Sequence, residues 1–284
     1  MPARILDGRA LAAELRDEVA TRASRLRARG VVPRLVVAIV GDDAASGAYV
    51  RSIEKAAVRV GIEVGVERLD AAVDDDGVRA RLRELGDDDA VHGIILQQPL
   101  PPHLAIRRIA EAMPPHKDVD GASPVNLGRL AFSSGTELIP ATPLAVMLLL
   151  EKSRHWPLRG VRCVVVGRSN VVGLPVSLLL LKRDATVSIT HHETRELTRH
   201  LRDAEVVVTA TGVPRLIGAA MIAPGTTVID VGTTYVDGVL TGDVDYDAVA
   251  EIAGEITPVP GGVGPVTNVA LLRNVVLAAE RMLV

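Results

Sequence analysis

Cys163-Val164-Val165-Val166-Gly167-Arg168-Ser169-Asn170-Val171-Val172-Gly173-Leu174-Pro175 is the stretch whose reading decides the fold. Four apolar residues, three of them β-branched, predict a buried parallel strand. They run into Gly167, and the apolar run Val176–Leu181 predicts a helix packed back on that strand. A strand, a glycine turn and a helix N-terminus set unpaired backbone N–H groups where a phosphate can sit. The spacing is not the usual G-x-G-x-x-G. Its glycines are Gly167 and Gly173, and Arg168-Ser169 stands where the second glycine would be. By itself the stretch fits a dinucleotide turn and a plain tight turn equally well.

Its neighbours favour the first. Strands at 162–166, 185–190, 205–209 and 226–230, with helices at 173–182 and near 194–201, predict a Rossmann-like unit. Thr211-Gly212-Val213-Pro214 and Asp230-Val231-Gly232 fall at its later strand ends, on the side of Gly167. Upstream, a helix over 7–28 ends at Gly30, and strands at 34–40, 62–69 and 91–96 alternate with helices. Those helices run from a cap at Ser46 to about Val60, over 74–85, and over 103–112. Alternation of this kind predicts parallel sheets with right-handed crossovers, whose ligands bind beyond the carboxyl ends of the strands. Gly41-Asp42-Asp43 and Gln97-Gln98 stand at such ends. Residues 113–139 read as an irregular inter-domain stretch, and Thr142-Pro143 as N-cap and N1 of a helix to about Lys152. Pro258–Pro265 reads as a rigid loop, and Val266 to about Met282 as a closing helix.

At 284 residues the chain can hold two cores. A net charge of −3 with interspersed signs excludes a nucleic-acid partner. Cys163, alone and inside a strand, allows no intramolecular disulfide and fits a reducing compartment. Met1–Ala10 carries Arg4, Asp7 and Arg9 and lacks the apolar core of a signal peptide, while Leu144–Leu150 is too short to span a bilayer. The expectation is a cytoplasmic protein with no membrane partner. His191-His192 has no third ligand at metal spacing. Asp74–Asp76 and Asp87–Asp89 flank a predicted helix and read as solvated caps, so no metal site is expected.

Separated segments then converge. Ser46-x-x-Tyr49-Val50, Gln97-x-Pro99-Leu100-Pro101, Lys117-Asp118-Val119-Asp120-Gly121, Asn126-x-Gly128 and Pro140-x-Thr142-Pro143 are followed by the Gly167–Pro175 stretch. Asp230-Val231-Gly232, Gly242-Asp243-Val244-Asp245 and Thr257–Pro265 complete the set. In this order they resemble the methylenetetrahydrofolate dehydrogenase/cyclohydrolase family over essentially the whole chain. The resemblance implies a two-domain α/β fold with a cleft between the domains. Residues 1–138 would form the catalytic, folate-binding domain, with 266–284 packing back on it, and 139–265 the Rossmann-like NAD(P)-binding domain. It implies oxidation of 5,10-methylene- to 5,10-methenyl-tetrahydrofolate with NADP or NAD, hydrolysis to 10-formyl-tetrahydrofolate, and a homodimer. Arg168 in the phosphate loop favours NADP, against Glu193 beside His192.

Residue by residue, the resemblance makes Tyr49 the pterin-stacking tyrosine, Gln97 the glutamine at the catalytic centre, and Asp120 the two-point acceptor for the pterin. Pro260 and Gly262 match the loop lining the folate pocket. Gly167, Arg168, Ser169 and His192 match the nucleotide site, with Thr233 on the nicotinamide side. Taken singly, each has a plain alternative as a core, cap or surface-loop residue.

One departure matters most. The family's catalytic lysine lies four residues after the tyrosine, and here that position is Ile53. On a helix Tyr49 and Ile53 lie about 40° apart, whereas Lys55 lies about 200° from Ile53 and faces elsewhere. Hydride transfer needs positioning and no moving proton. Hydrolysis of the methenyl cation needs a general acid–base, and isoleucine cannot act as one. The expectation is a dehydrogenase with impaired or absent cyclohydrolase activity. Gln98, Ala141 and Thr190 also replace a usual leucine and two cysteines. Two other readings stay open: a related dehydrogenase acting on a different substrate, and a non-catalytic NADP- or folate-binding protein.

Overall fold

The apolar runs around Val36 and Val165 form the centres of two parallel sheets. The computed structural model describes residues 2–41, 44–132 and 138–283, and for 44–49 the backbone alone. It divides into two units, Met1–Ala13 with Thr142–Thr267, and Glu14–Ala141 with Asn268–Val284. β1 (Arg4–Ile5) and α1 (Gly8–Ala28) open the chain, with α1 starting in one unit and continuing into the other.

The unit holding Glu14–Ala141 contains β2 (Arg34–Val40), α2 (Ala44–Arg59), β3 (Glu63–Leu69), α3 (Asp75–Asp87), β4 (Gly93–Leu96), α4 (Ile106–Ala110) and α5 (Pro124–Phe132). Its sheet runs β3-β2-β4, all parallel. Every residue of β2 after Arg34 is buried, as a strand covered on both faces must be. Val36, Leu82, Ile94 and Ile109 share one core cluster. The acidic triplet before α3 is a cap: Asp74 Oδ1 accepts from Gly77 N at 2.8 Å. At the other end, buried Lys117 donates to Asp88 O at 2.7 Å and Leu85 O at 3.4 Å, satisfying carbonyls where α3 stops.

Two expectations change here. The stretch 113–139 is not wholly irregular, because α5 forms within it. Its sequence carries Pro124, Asn126 and Gly128, so local propensity is poor. Tertiary bonds compensate: Asn126 Nδ2 donates to Pro115 O at 2.8 Å and Asp118 Oδ2 at 3.0 Å. The helix expected over 103–112 contracts to five residues. α2 begins at Ala44, ahead of Ser46, whose side chain lies outside the described residues.

The other unit contains α6 (Ala141–Leu150, shared at its first residue), β5 (Arg162–Val166), α7 (Gly173–Leu181), β6 (Thr186–Thr190), α8 (Leu197–Arg202) and β7 (Val206–Thr209). After these come β8 (Thr227–Asp230), the antiparallel hairpin β9 (Thr234–Val236) and β10 (Val239–Thr241), α9 (Tyr246–Ala250), β11 (Glu255–Ile256) and α10 (Val263–Arg281). The sheet order is β1-β11-β8-β7-β5-β6, all parallel. Thr142 is not the N-cap, because α6 already starts at Ala141. Pro143 still lies in the first turn, where its missing N–H costs no bond.

The edge strands β1 and β11 are two residues each, too short to show a period. Long-range bonds hold them. Buried Glu255 accepts from Arg4 Nε at 3.0 Å and Thr227 Oγ1 at 2.7 Å, which ties the first residues of the chain to this sheet.

Candidate active site

β5 lies between β6 and β7, so successive crossovers leave it in opposite directions, and ligands bind at the carboxyl ends around such a strand. Gly167 ends β5 with φ of +121°, and a Cβ there would overlap Ala210 O. A Cβ on Gly173 would overlap Gly167 O. Both positions need glycine so that the loop and α7 can close on each other.

The first turn of α7 is satisfied within the protein, unlike the free helix terminus the sequence predicts. Ser169 Oγ accepts from Val172 N at 3.1 Å and Gly173 N at 3.4 Å, and Ser169 O accepts from Leu174 N at 3.0 Å. Pro175 has no N–H to give. Ser169 thus satisfies the first turn of the helix, and its hydroxyl hydrogen has no acceptor among the described residues.

A cavity of about 490 Å³ opens beside this loop, bounded among others by Gly167, Arg168, Ser169, His191 and His192. That volume lies in the range of small-molecule and cofactor sites. Arg168 is exposed, and among the described residues no carboxylate pairs with it. The turn after β6 is fixed by His191 N donating to Thr194 Oγ1 at 2.8 Å and Glu193 N donating to His191 Nδ1 at 3.3 Å. His192 Nε2 lies 3.2 Å from Glu193 Oε1.

Thr233 falls elsewhere. It lines a cavity of about 130 Å³ with Pro260, Gly262, Asp230 and Arg9. The Cβ that Gly262 lacks would meet Pro258 O and Thr257 Cβ, each at 2.7 Å, so its glycine serves the loop's own packing. Arg9 enters the sequence reading only as one of the charges that speak against a signal peptide. It arrives at this cavity because glycine at position 8 lets α1 start against Gly262 O.

Below that cavity two motifs interlock. Asp230 accepts from Gly232 N at 2.9 Å, Asp243 N at 3.0 Å and Val244 N at 3.0 Å. Burial pushes its carboxyl up to about 6, while those N–H groups pull the other way. Asp243 Oδ2 accepts from Thr209 Oγ1 at 2.9 Å and Thr211 N at 2.6 Å. The carboxyl ends of β7 and β8 are thereby clamped together.

In the other unit, Gln97 follows β4, its backbone N donating to Ala38 O at 2.8 Å and its Nε2 to Gln98 O at 2.7 Å. Lys117–Asp120 runs beside β4 through a parallel bridge between Ile94 and Asp118, which carries Asp120 toward the end where Gln97 stands. Asp118 and Asp120 differ in kind. The first is buried and accepts from Ala122 N, Ser123 N and Asn126 Nδ2 at 2.8 to 3.0 Å. No protein donor addresses the second among the described residues. Burial, then the charge of Asp118, pushes the Asp120 carboxyl up to about 7.

Ile53 is 1 % exposed on the inner face of α2, where Val50 and Ala57 are buried too. Lys55 is exposed on another face. The side chain of Tyr49 lies outside the described residues, as do Asp42 and Asp43.

Residues 6–120 match the catalytic domain of tetrahydrofolate dehydrogenase/cyclohydrolase, and residues 140–283 match its NAD(P)-binding domain. The chain belongs to the tetrahydrofolate dehydrogenase/cyclohydrolase family. It is 48 % identical over 282 residues to the bifunctional protein FolD of Polynucleobacter asymbioticus, covering 99 % of both chains. It superimposes with a TM-score of 0.95 on the bifunctional FolD of Campylobacter jejuni, at 39 % identity and covering 98 % and 99 % of the two chains. The FolD of Trypanosoma brucei, solved with NADP and an inhibitor, is similar at a TM-score of 0.93 and 37 % identity, over 100 % of this chain and 99 % of that one. Within the family's two domains, Ile53, Gln97 and Asp120 fall in the catalytic match, and the Gly167 loop, His192, Thr233 and the Pro260–Gly262 loop in the NAD(P)-binding match.

Proposed function

We propose that this family member oxidises 5,10-methylene-tetrahydrofolate to 5,10-methenyl-tetrahydrofolate with NADP, and that hydrolysis of the product to 10-formyl-tetrahydrofolate is impaired or absent. The observation that carries this reading is the lysine position. Ile53 packs into the core, Lys55 faces away from it, and the Lys117 amine is bound to the carbonyls at the end of α3. Those are the two lysines of the unit that holds Gln97, and among the described residues neither reaches that glutamine.

NADP, when bound, accepts the hydride. The residues that fit it are Gly167, whose close approach to Ala210 O shapes the loop, with Ser169 and Arg168, whose hydroxyl hydrogen and guanidinium have no partner among the described residues. His192 stands on the same cavity, and Thr233 serves the nicotinamide side. On the substrate side, Asp120 as a carboxylate takes two N–H groups of the pterin, Tyr49 stacks on the ring, and Gln97 holds the one-carbon region. Pro260 and Gly262 shape the loop that lines the smaller cavity, where Arg9 offers a cation.

Hydride departure is driven by the lone pair of the folate nitrogen, so these residues need only bind and orient. Water attack on the methenyl carbon requires a proton to leave the water, and a positioned base contributes about 10²–10⁴-fold. Ile53 supplies none. The test is a paired assay on the purified protein, with methenyl formation and methenyl hydrolysis followed separately. The first is expected to depend on NADP and the second to run at the buffer rate. Hydrolysis well above that rate overturns the reading.

A further inference from the structure

A residue of the last helix, outside every motif quoted above, fixes the backbone that carries Asp120. From Asn268 onward α10 belongs with Glu14–Ala141, and Asn274 is buried on it at 2 % exposure. Its Nδ2 donates to Val119 O at 2.8 Å and to Ile139 O at 2.7 Å, residues 155 and 135 positions away in sequence. Both donors of one planar amide are thus used on two separate segments. Those segments also meet directly, since a Cβ on Gly121, whose φ is +73°, would overlap Pro140 Cγ. On Gly93 of β4 a Cβ would meet Val119 Cγ1 at 2.8 Å and Val275 Cγ2 at 3.0 Å, so α10 and the Asp120 segment close together over that strand.

We propose that Asn274 is a positioning residue for the folate: by bonding Val119 O and Ile139 O it holds the segment from which Asp120 accepts the N–H groups of the pterin. The Val119 carbonyl and the Asp120 N–H lie in one peptide plane, so a donor on that oxygen sets the backbone from which the Asp120 side chain leaves. Asp118, two residues earlier, is held at its own carboxyl by Ala122 N, Ser123 N and Asn126 Nδ2. Asp120 has no such donors among the described residues, so its direction depends on its backbone. A two-point acceptor is sensitive to that direction, because both of its oxygens must meet N–H groups at once.

The inference rests on the reading of Asp120 as the pterin acceptor, and the experiment separates the two. KM and kcat for methylene-tetrahydrofolate, KM for NADP, and Tm are measured for the native protein and four variants. These are Asn274→Leu, Asn274→Ser, Asp120→Asn and the double variant Asp120→Asn with Asn274→Leu. Leucine keeps the bulk and offers no donor, whereas serine offers one hydroxyl to two carbonyls. Asn274→Leu is expected to raise KM for the folate about tenfold, the scale of one misplaced hydrogen bond to a charged group. kcat should change less than KM, and KM for NADP should stay within about twofold. Asn274→Ser should give a smaller rise of the same kind, and it serves as the test if the leucine variant fails to fold. With Asp120→Asn in place, Asn274→Leu should add less than about twofold to the folate KM, although it lowers Tm in both backgrounds. A rise that persists in full without the Asp120 carboxylate overturns the proposal. So does an equal rise for both substrates, or no rise in either Asn274 variant. If Asp120→Asn itself leaves the folate KM unchanged, the reading of Asp120 fails, and this inference fails with it.

Discussion

The Gly167–Gly173 loop and the α2–β4 region both close parallel strands, yet they are held by different means. In the loop the constraint is backbone contact: a Cβ at either glycine would overlap a carbonyl oxygen. In α2 the constraint at position 53 is only that an inward-facing side chain be accommodated, and isoleucine is buried there as Val50 and Ala57 are. The chemistry of the first region cannot change without losing the local fold. In the second, the chemistry of the residue at position 53 can change while the helix keeps its packing.

The largest expected effect tests the second region. Ile53→Lys should raise methenyl hydrolysis by about 10²–10⁴-fold, with Ile53→Gln as the polar control that does not. Methylene oxidation, followed by NADPH formation, should remain. An increase with the glutamine variant would show that polarity and not the amine was missing. The matching break in the first region is Gly173→Ala, which should cost about 3 kcal/mol by denaturant unfolding and abolish NADP binding, because the methyl group would overlap Gly167 O, Gly167 C and Arg168 N, all of them backbone atoms.

Acid pH sharpens the comparison on the substrate side. Asp120 must be ionised to accept two N–H groups, and its carboxyl stands at about 7. As pH falls below that value the ionised fraction drops, so kcat/KM for the folate should fall toward about tenfold per unit, and above it the profile should flatten. Asp120→Asn should lower kcat/KM and remove that limb. The smallest effect belongs to Lys55→Ala. Both activities should stay within about twofold, as for a surface substitution away from any site, and a loss of either would return the catalytic amine to this helix.

Much of the site was legible because its residues sit at ends of strands whose periods are plain. Gln97 follows G-I-I-L, and Gly167 follows C-V-V-V. Less was legible wherever the partner is far away in sequence. Nothing near Asp118 or Asp120 says which carboxylate will be consumed by the fold. Asn126 and the turn at 122–123 take Asp118, and among the described residues no protein donor takes Asp120. Nor does anything near Lys117 say that its amine will close the end of α3.

By itself the sequence determined the alternating α/β pattern, the glycine loop, the family, and the absence of an amine at position 53. Each of these is a matter of residue identity and short-range period. Only the tertiary structure decided that Arg4–Ile5 join the second sheet, that Arg9 stands beside Pro260 and Gly262, and that Asn126 takes Asp118. Contacts between residues as remote as Arg4 and Glu255 depend on how elements pack, and packing leaves no period in a chain.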